Sequence, residues 1–475
     1  MKSGAQKALL YGAGALLGGV GLITAGRLLF EWAADRAVSI LTQDPYRENL
    51  LEVHSSLRRT GLQTIIETNL RAKHGRLLFR PLGSPKQFPN FDSLMFLGAQ
   101  LDTLPTPFDR PVTLATTIGP AAARPLEVDI PVLVGGMGFG VGLSKAAKIA
   151  IARGASVAGT ATNTGEGPFL PEERREARKL IVQYHRGSWM DESALRYADM
   201  VEIHIGQGAS ASGGGMLPPE KITRELKRAM RLAPGEKAFI RSTFPELERG
   251  RHLAILVDRA RELSCGAPVV VKLAANHSIE RDLSIAAEAG VDGVTLDGAQ
   301  GGTAQSPAIT EDDFGIPTLF ALLRARKHLD RIDPERRISL LVSGGLYTPG
   351  DFLKCIALGA DAVYVGSVIL FALMAGQQHK ATPLEPPVEV ALYRGRYKRR
   401  LSVEEGARNV ARYLKSVADE MAHAIRMLGK DHIADVGPGD LCALDREIAA
   451  IAGVEYAGKA PAAVTAPRAL PDQRR

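Results

Sequence analysis

The sequence predicts an α/β protein whose larger part is a parallel (β/α)8 TIM barrel, and three observations lead there. From near Val112 onward, eight apolar runs ending in or beside Gly, Thr, Ser or Asp alternate with helical stretches. That alternation is the pattern of parallel strands joined by crossover helices. Glycine is abundant (49) and aromatic residues are sparse (5%), a balance suited to many tight strand-to-loop junctions. At 475 residues the chain also has room for such a barrel with insertions, which needs roughly 250 residues or more. An open doubly wound sheet would place Gly-x-Gly-x-x-Gly after its first strand, with an acidic residue about twenty positions on. The segment GGMGFG, residues 135–140, lacks that spacing.

Taken in order, the chain opens on nineteen uncharged residues, Ala8 to Gly26, with Lys7 and Arg27 at their ends. As a helix they would rise roughly 28 Å, about one hydrocarbon thickness. Gly14 and Gly18 form a Gly-x-x-x-Gly pair, and Tyr11 and Trp32 lie near plausible interfaces. The expectation is a single-pass membrane anchor over 1–35, with the catalytic body on the cytoplasmic side. A signal peptide and a soluble Gly/Ala-rich helix are the competing readings; the run is long for the former and no clear cleavage site follows. A Pro-dotted lead-in, irregular with short helices, follows over 36–111. The barrel is expected over 112–400, a helical extension over 401–458 and a disordered Ala/Pro-rich tail over 459–475.

The eight candidate strands are 131–136, 156–162, 200–206, 238–243, 269–275, 293–298, 339–345 and 362–367. Beyond them, Val403, Val410, Leu414, Val417, Met421 and Ile425 recur at helical spacing, the stripe of a helix packed on the barrel. The net charge of +7 is modest, and basic residues sit beside acidic ones in most helical stretches. Solvated helix faces account for it, so no nucleic-acid partner is expected. Cys265, Cys355 and Cys442 are odd in number and far apart, which fits neither a disulfide framework nor a metal knuckle. No metal site is expected.

In such a barrel, catalytic groups come from the C-terminal ends of strands, and phosphate binds after strands seven and eight. There the sequence reads Ser343-Gly344-Gly345 and Gly366-Ser367. Glycines admit backbone N–H groups close to a phosphate, and a following helix offers its positive end; ordinary turns would look the same. Lys272 lies inside the apolar run VVVKLAA. An unpaired buried ammonium is costly, so it faces either a barrel carboxylate or a polar site, such as the anionic edge of a reduced flavin. Three glycine-rich loops reach the same rim: Asn163-Thr-Gly-Glu-Gly167, the stretch from Gln207 to Pro218, and Asp297-Gly-Ala-Gln-Gly-Gly-Thr303. Singly each is weak; several in register around one rim are harder to dismiss.

The loops also resemble a known family. GGMGFG is similar to the Gly-x-Met-Ser-Phe-Gly loop of glutamate synthase, and NTGEGPF to its Asn-Ser-Gly-Glu-Gly-Gly. VEIHIGQGASASGGGMLP resembles its Lys-Ile-Ala-Gln-Gly-Ala-Lys-Pro-Gly-Glu-Gly-Gly-Gln-Leu-Pro. VVVKLAA resembles its Ser-Val-Lys-Leu strand, LDGAQGGTAQSP its Gly-Gly-Thr-Gly-Ala-Ser-Pro loop, and SGGLYTPGDF its Gly-Gly-Leu-x-Thr-Gly-x-Asp, all in family order over about 131–375.

The resemblance implies an FMN domain that turns 2-oxoglutarate and ammonia into glutamate, the derived imine taking hydride from reduced flavin. It implies cofactor contacts from Gly136, Met137, Gly138, Gln207, Lys272, Ser343, Gly344, Gly345, Gly366 and Ser367. Catalytic roles would fall to Lys272, Glu166 and Gln300, with Glu166 handling a proton and Thr303 facing polar atoms.

The pattern departs from the family in three places. The chain opens on the apolar stretch, with no N-terminal nucleophilic cysteine of a glutaminase domain. The cysteine run of iron–sulfur members is replaced after strand eight by SVILFALMAGQQHKATPLEPP, so no cluster is expected. The 207–218 loop lacks the family's Lys and Glu, which leaves the substrate open to a related 2-oxo acid. Electrons would come from NAD(P)H, a soluble carrier or a quinol, and a homo-oligomer is a further partner expectation. A 2-hydroxy-acid oxidase would want a His–Arg pair near strand seven, and an IMP-dehydrogenase-like enzyme a Cys after strand six; neither is there. The non-enzymatic alternative is a flavin-binding scaffold or electron-transfer component at the membrane.

Overall fold

The computed structural model describes residues 3–43, 45, 51–80, 82–208, 210, 212–248, 253–301 and 306–459. It divides into two compact units, Met1–Leu78 and Phe79–Arg475. The tail expected to be disordered lies outside the described residues from 460 onward, as does Thr303.

The first unit holds three helices, α1 (Ser3–Gln43), α2 (Leu51–Thr60) and α3 (Leu62–His74). The expected membrane anchor is not supported. Among the described residues, no helix is long and apolar enough to cross a membrane. The nineteen-residue stretch does not stand alone as a span but opens a continuous helix of 41 residues, about twice a hydrocarbon thickness in length. The described side chains of that helix include Arg27, Glu31, Asp35 and Arg36, with Arg27 Nε 2.7 Å from Glu31 Oε1. Charged groups at helical spacing there leave no second apolar run. Side chains before Gly21 lie outside the described set.

The second unit is the barrel. Its strands are β1 (Val132–Val134), β2 (Thr162–Asn163), β3 (Leu180–Tyr184), β4 (Met200–His204), β5 (Val269–Ala274), β6 (Gly293–Asp297), β7 (Ser339–Ser343) and β8 (Ala362–Val365). All eight are parallel neighbours in chain order, with β8 beside β1. Val134 N–H donates to Ala161 O (3.0 Å) and closes the ring beside β2. The crossovers include α4 (Lys145–Val157), α5 (Leu253–Leu263), α6 (Ile279–Glu288), α7 (Thr318–Ile332) and α8 (Pro349–Ala357); α9 (Ser367–Leu373) follows β8.

Three strands differ from the sequence reading. The second is only Thr162–Asn163, meeting the expected 156–162 at Thr162 alone, because α4 runs on to Val157. Leu180–Tyr184 is the third strand, so the run 200–206 becomes the fourth. The candidate at 238–243 is outside the barrel, where Phe239–Ile240 pairs antiparallel with Gly215–Met216. The cause is the short connections on either side of β3, a six-residue helix (Pro171–Glu176) before it and a 3₁₀ turn (Glu192–Tyr197) after it. Neither is long enough to print a helical period on the sequence.

A hairpin, Thr116–Ile118 with Leu126–Val128, covers the N-terminal end. Its Ile118, Leu126 and Val128 pack with Leu133, Ile181, Met200, Val270 and Leu341 from the barrel interior. Arg124 Nη2 pins it by donating to the Ala198 and Ser264 carbonyls at 2.9 and 3.0 Å. On the outside, α10 (Val403–Met427) buries Val410, Leu414, Val417, Met421 and Ile425 as its periodicity predicts, with Val403 only partly buried. It lies so close to α4 that a Cβ at Gly154 would come 2.7 Å from Val410 Cβ.

Candidate functional site at the barrel mouth

Strand alternation sends every second side chain inward. In the C-terminal half of the barrel those positions are polar. Parallel register sets Gln183 beside Glu202, His204 beside Lys272 and Thr295, and Asp297 beside Ser343 and Tyr364 in turn. Glu202 is wholly buried and fully engaged. Asn163 Nδ2 and Gln183 Nε2 donate to its Oε1 at 2.9 and 2.8 Å, and Thr295 Oγ1 donates to Oε2 at 3.1 Å. Three donors supply what a carboxylate out of water requires.

Above this layer lies a cavity of about 180 Å³ that opens to solvent. Of the thirteen residues given a role from the sequence, twelve line it: Gly136, Met137, Gly138, Glu166, Gln207, Lys272, Gln300, Ser343, Gly344, Gly345, Gly366 and Ser367; Thr303 lies outside the described residues. Leu82, Val141, Tyr347, Leu370 and Leu392 add apolar and aromatic wall.

Lys272 Nζ lies 3.3 Å from Asp297 Oδ2. Burial opposes its charge, but Asp297 and Glu202 outweigh that, and the ammonium is held above its ordinary value. It is therefore a fixed cation at the floor of the cavity. Asp297 Oδ1 is buried with no hydrogen-bond partner among the described residues.

Glu166 stands on a loop braced from three sides. Lys148 Nζ donates to Asn163 O (2.7 Å) and pairs with the buried Glu173 (2.7 Å). Trp189 Nε1 donates to Glu166 O (2.9 Å). Asn163 Oδ1 accepts from Gly165 N–H (2.9 Å). The Glu166 carboxylate Oε1 lies 3.1 Å from His204 Nδ1. Burial pushes the Glu166 carboxyl up, but the His204 ring, then His185 and Arg186, overcome this and hold it at about 2. The neighbouring His185 accepts at Nδ1 from Gly187 N–H (3.0 Å) and points Nε2 at Gly167 O (3.3 Å). This pattern fits the neutral Nε2–H tautomer, and burial drives His185 down to about 4 against the pull of Glu166.

His204 escaped the sequence reading because it sits inside the apolar-looking run MVEIHIG. The signal was available: Glu202 and His204 are two apart on one strand, so they share the inward face. Gln300 lines the cavity but its amide is committed. Its Nε2 donates to Pro89 O (3.2 Å), while Oε1 accepts from Thr318 N–H (2.8 Å) and Oγ1 (2.9 Å).

The glycines have different causes. A Cβ at Gly138 would lie 2.4 Å from Gly167 N, and one at Gly136 would lie 3.0 Å from Gln183 Nε2, so loop packing alone accounts for both. Gly344 and Gly345 have φ of 111° and 67°, the region other residues avoid. At Gly366, which caps α9, a Cβ would meet nothing within 4 Å. No neighbour among the described residues requires a glycine there, whereas close approach by a ligand would. These turns and Lys272 fit a phosphate-bearing, ring-shaped cofactor: open backbone after β7 and β8, a cation at the floor and apolar wall between.

Comparison with known proteins agrees with this arrangement. The conserved region in glutamate synthase matches residues 86–431. A glutamate synthase large subunit-like protein of Rhizobium meliloti is 33% identical over 418 residues, covering 83% of this chain and 93% of its own length. An archaeal-type glutamate synthase [NADPH] of a Thermotoga species is 30% identical, covering 76% and 75%. An archaeal glutamate synthase [NADPH] of Methanocaldococcus jannaschii is 30% identical over 76% and 77%. Flavocytochrome b2 solved with sulfite bound aligns over 74% of this chain and 76% of that one at 18% identity, with a TM-score of 0.49, too slight to carry weight. Matched over most of its length, the chain belongs to the glutamate synthase family of FMN-binding oxidoreductases.

Proposed function

We propose that this protein holds FMN at the barrel mouth and interconverts a 2-oxo acid and its amino acid as a glutamate synthase-type oxidoreductase. The observation that carries this reading is the convergence of the fixed cation Lys272, the braced Glu166 and the glycine turns at 344–345 and 366 on one cavity. Gly344, Gly345, Gly366 and Ser367 would take the phosphate, and Gly136, Met137, Gly138, Gln207 and Ser343 the rest of the cofactor. When bound, FMN supplies reversible hydride transfer at the carbon–nitrogen bond.

The chain's own residues do the remainder. Lys272, anchored by Asp297, stabilises negative charge at the cavity floor. Glu166 stays ionised at neutral pH and receives or returns the proton of the reacting nitrogen, with His204 behind it to hold its orientation. Gln300 keeps its amide on Thr318 and Pro89, so its part is to shape the wall. The reading involves no iron–sulfur cluster. Because the Thermotoga and Methanocaldococcus relatives carry NADPH in their names, a pyridine nucleotide is the first electron donor to try.

The test is anaerobic: load with FMN, reduce, then add 2-oxo acids with ammonia while following flavin absorbance and amino-acid formation. Reoxidation coupled to amino acid supports the reading. A protein that keeps reducible FMN yet passes electrons to no 2-oxo acid or imine sinks it in favour of a flavin-binding scaffold.

A further inference from the structure

Residues 82–91, LGSPKQFPNF, have no regular structure until a 3₁₀ turn begins at Phe91. Pro85 and Pro89 bring no N–H for a ladder, and Gly83 turns at a φ of 93°. A segment of this composition is poorly suited to strand pairing, so side chains must hold it in place. At its start Leu82 forms part of the cavity wall.

The segment is tied down at both ends and once between. Arg80 sets both Nη atoms on Asp312, at 2.6 Å from Oδ1 and 2.8 Å from Oδ2. Ser84 Oγ donates to the same carboxylate (2.5 Å), and Lys86 Nζ donates to Asp312 O (2.9 Å). Asp312 lies on the short helix Ala308–Asp313. At the far end, Lys354 Nζ on α8 donates to the carbonyl of the buried Phe91 (2.8 Å). Between them, Gln300 Nε2 reaches Pro89 O (3.2 Å). Gln300 also joins the strap to the glycine turn after β7. Its Oε1 lies 2.9 Å from Thr318 Oγ1, which is 2.7 Å from Gly344 O. A Cβ on Gly345 would come 2.5 Å from Gln300 Cβ.

Resting on the flavin reading above, we infer that residues 82–91 are a gate on the cavity, latched by the Arg80–Asp312 pair and coupled through Gln300 to the turn that would take the cofactor phosphate. With the latch made, Leu82 completes the apolar wall and keeps water out. With it broken, that side of the wall opens while the barrel stays intact, because none of the latching residues lies in a barrel strand. Few apolar contacts hold such a segment, which places it at the low-stability end of the molecule. A phosphate seated on Gly344–Gly345 steadies the turn against which Gln300 packs, and so favours the closed strap. Arg80 and Asp312 are positioning residues, since neither lines the cavity.

Stopped-flow mixing of the full-length apoprotein with FMN separates a gate from a mere contact. A gate must open for entry as well as for release. Arg80→Ala and Asp312→Asn should therefore each raise both the association and the dissociation rate about tenfold, the scale of one lost charge-assisted pair. Arg80→Lys, which keeps the charge without the fork, should fall between these and the parent. Hydrogen exchange without FMN should show residues 82–91 opening faster in Arg80→Ala and Asp312→Asn, with β5 to β8 as protected as in the parent. Adding FMN to the parent should slow exchange over the same residues. Entry and release at the parent's rates, faster release without faster entry, or unaltered exchange over 82–91 overturns the gate and leaves the flavin reading standing. A parent that takes up no FMN refutes the flavin reading instead, and the exchange comparison without FMN then decides the latch.

Discussion

The two ends of the barrel are made from the same eight strands and behave as different materials. At the N-terminal end the inward positions are Leu133, Ile181, Met200, Val270 and Leu341, capped by the apolar side of a hairpin. One or two inward positions further along, three of these strands present Gln183, Glu202, His204 and Lys272, and β6 adds Thr295 and Asp297. The first end is a core closed to water. The second is a network in which every charge depends on a named partner, roofed by glycine turns and open to solvent. Strand alternation lets one sheet do both, so stability can be concentrated at one end and chemistry at the other.

This contrast can be tested from each side. The largest effect is expected from Lys272→Ala, which leaves Asp297 buried without its cation. Loss of one partner from a buried pair costs about 3–5 kcal/mol, measurable by urea unfolding, and flavin binding should fall with it. Leu341→Ala at the closed end should cost about 3 kcal/mol through the cavity it leaves. In folded protein its FMN affinity should match that of the parent, and an equal loss of affinity would erase the distinction between the ends.

The mouth should also carry an acid dependence that the closed end lacks. His185 is held at about 4 against an ordinary 6.5. The unfolded chain therefore takes up a proton that the folded one refuses, and stability falls as pH drops from 6.5 towards 4. The contribution is at most about 3 kcal/mol. Glu166, held at about 2, is a depressed carboxyl. Its contribution is complete above about 4.5 and is lost as pH falls through its folded value. His185→Gln should flatten the pH 4–6.5 segment of the unfolding free energy, while Leu341→Ala should shift the whole curve without changing its slope. The smallest effect is Gly366→Ala. An alanine there strikes nothing among the described residues, so unfolding should move by only a few tenths of a kcal/mol, while FMN affinity falls about tenfold from crowding at the phosphate turn.

The barrel was legible where long apolar strands alternate with full helices, over β1 and β5 to β8. It blurred where β2 shrinks to two residues and β3 sits between a six-residue helix and a 3₁₀ turn. There the chain turns through loop packing that leaves no period, and the run 238–243 took the missing strand's place. The mouth was legible as a set of glycines and one conspicuous lysine, because a cation in an apolar run needs a local reason. What the pattern could not give was the cause of each glycine. Gly136 and Gly138 are fixed by contact between loops, and Gly366 by nothing among the described residues. Nor could it give the pairing of Glu166 with His204, which joins residues 38 apart through the inward face of β4. The apolar N-terminal stretch misled because a window of nineteen residues takes no account of the residues beyond Gly26. The same helix continues past that point with charged side chains at regular spacing.

The central claim, that the polar end of the barrel is a flavin site built on Lys272 and the glycine turns, is met most directly by titrating apoprotein into FMN and following flavin fluorescence. The expected result is quenching that saturates at one equivalent with a Kd of roughly 1 μM or tighter, weakened by Gly366→Ala and unchanged by Leu341→Ala. Quenching that fails to saturate, or that responds equally to substitutions at both ends of the barrel, would contradict it.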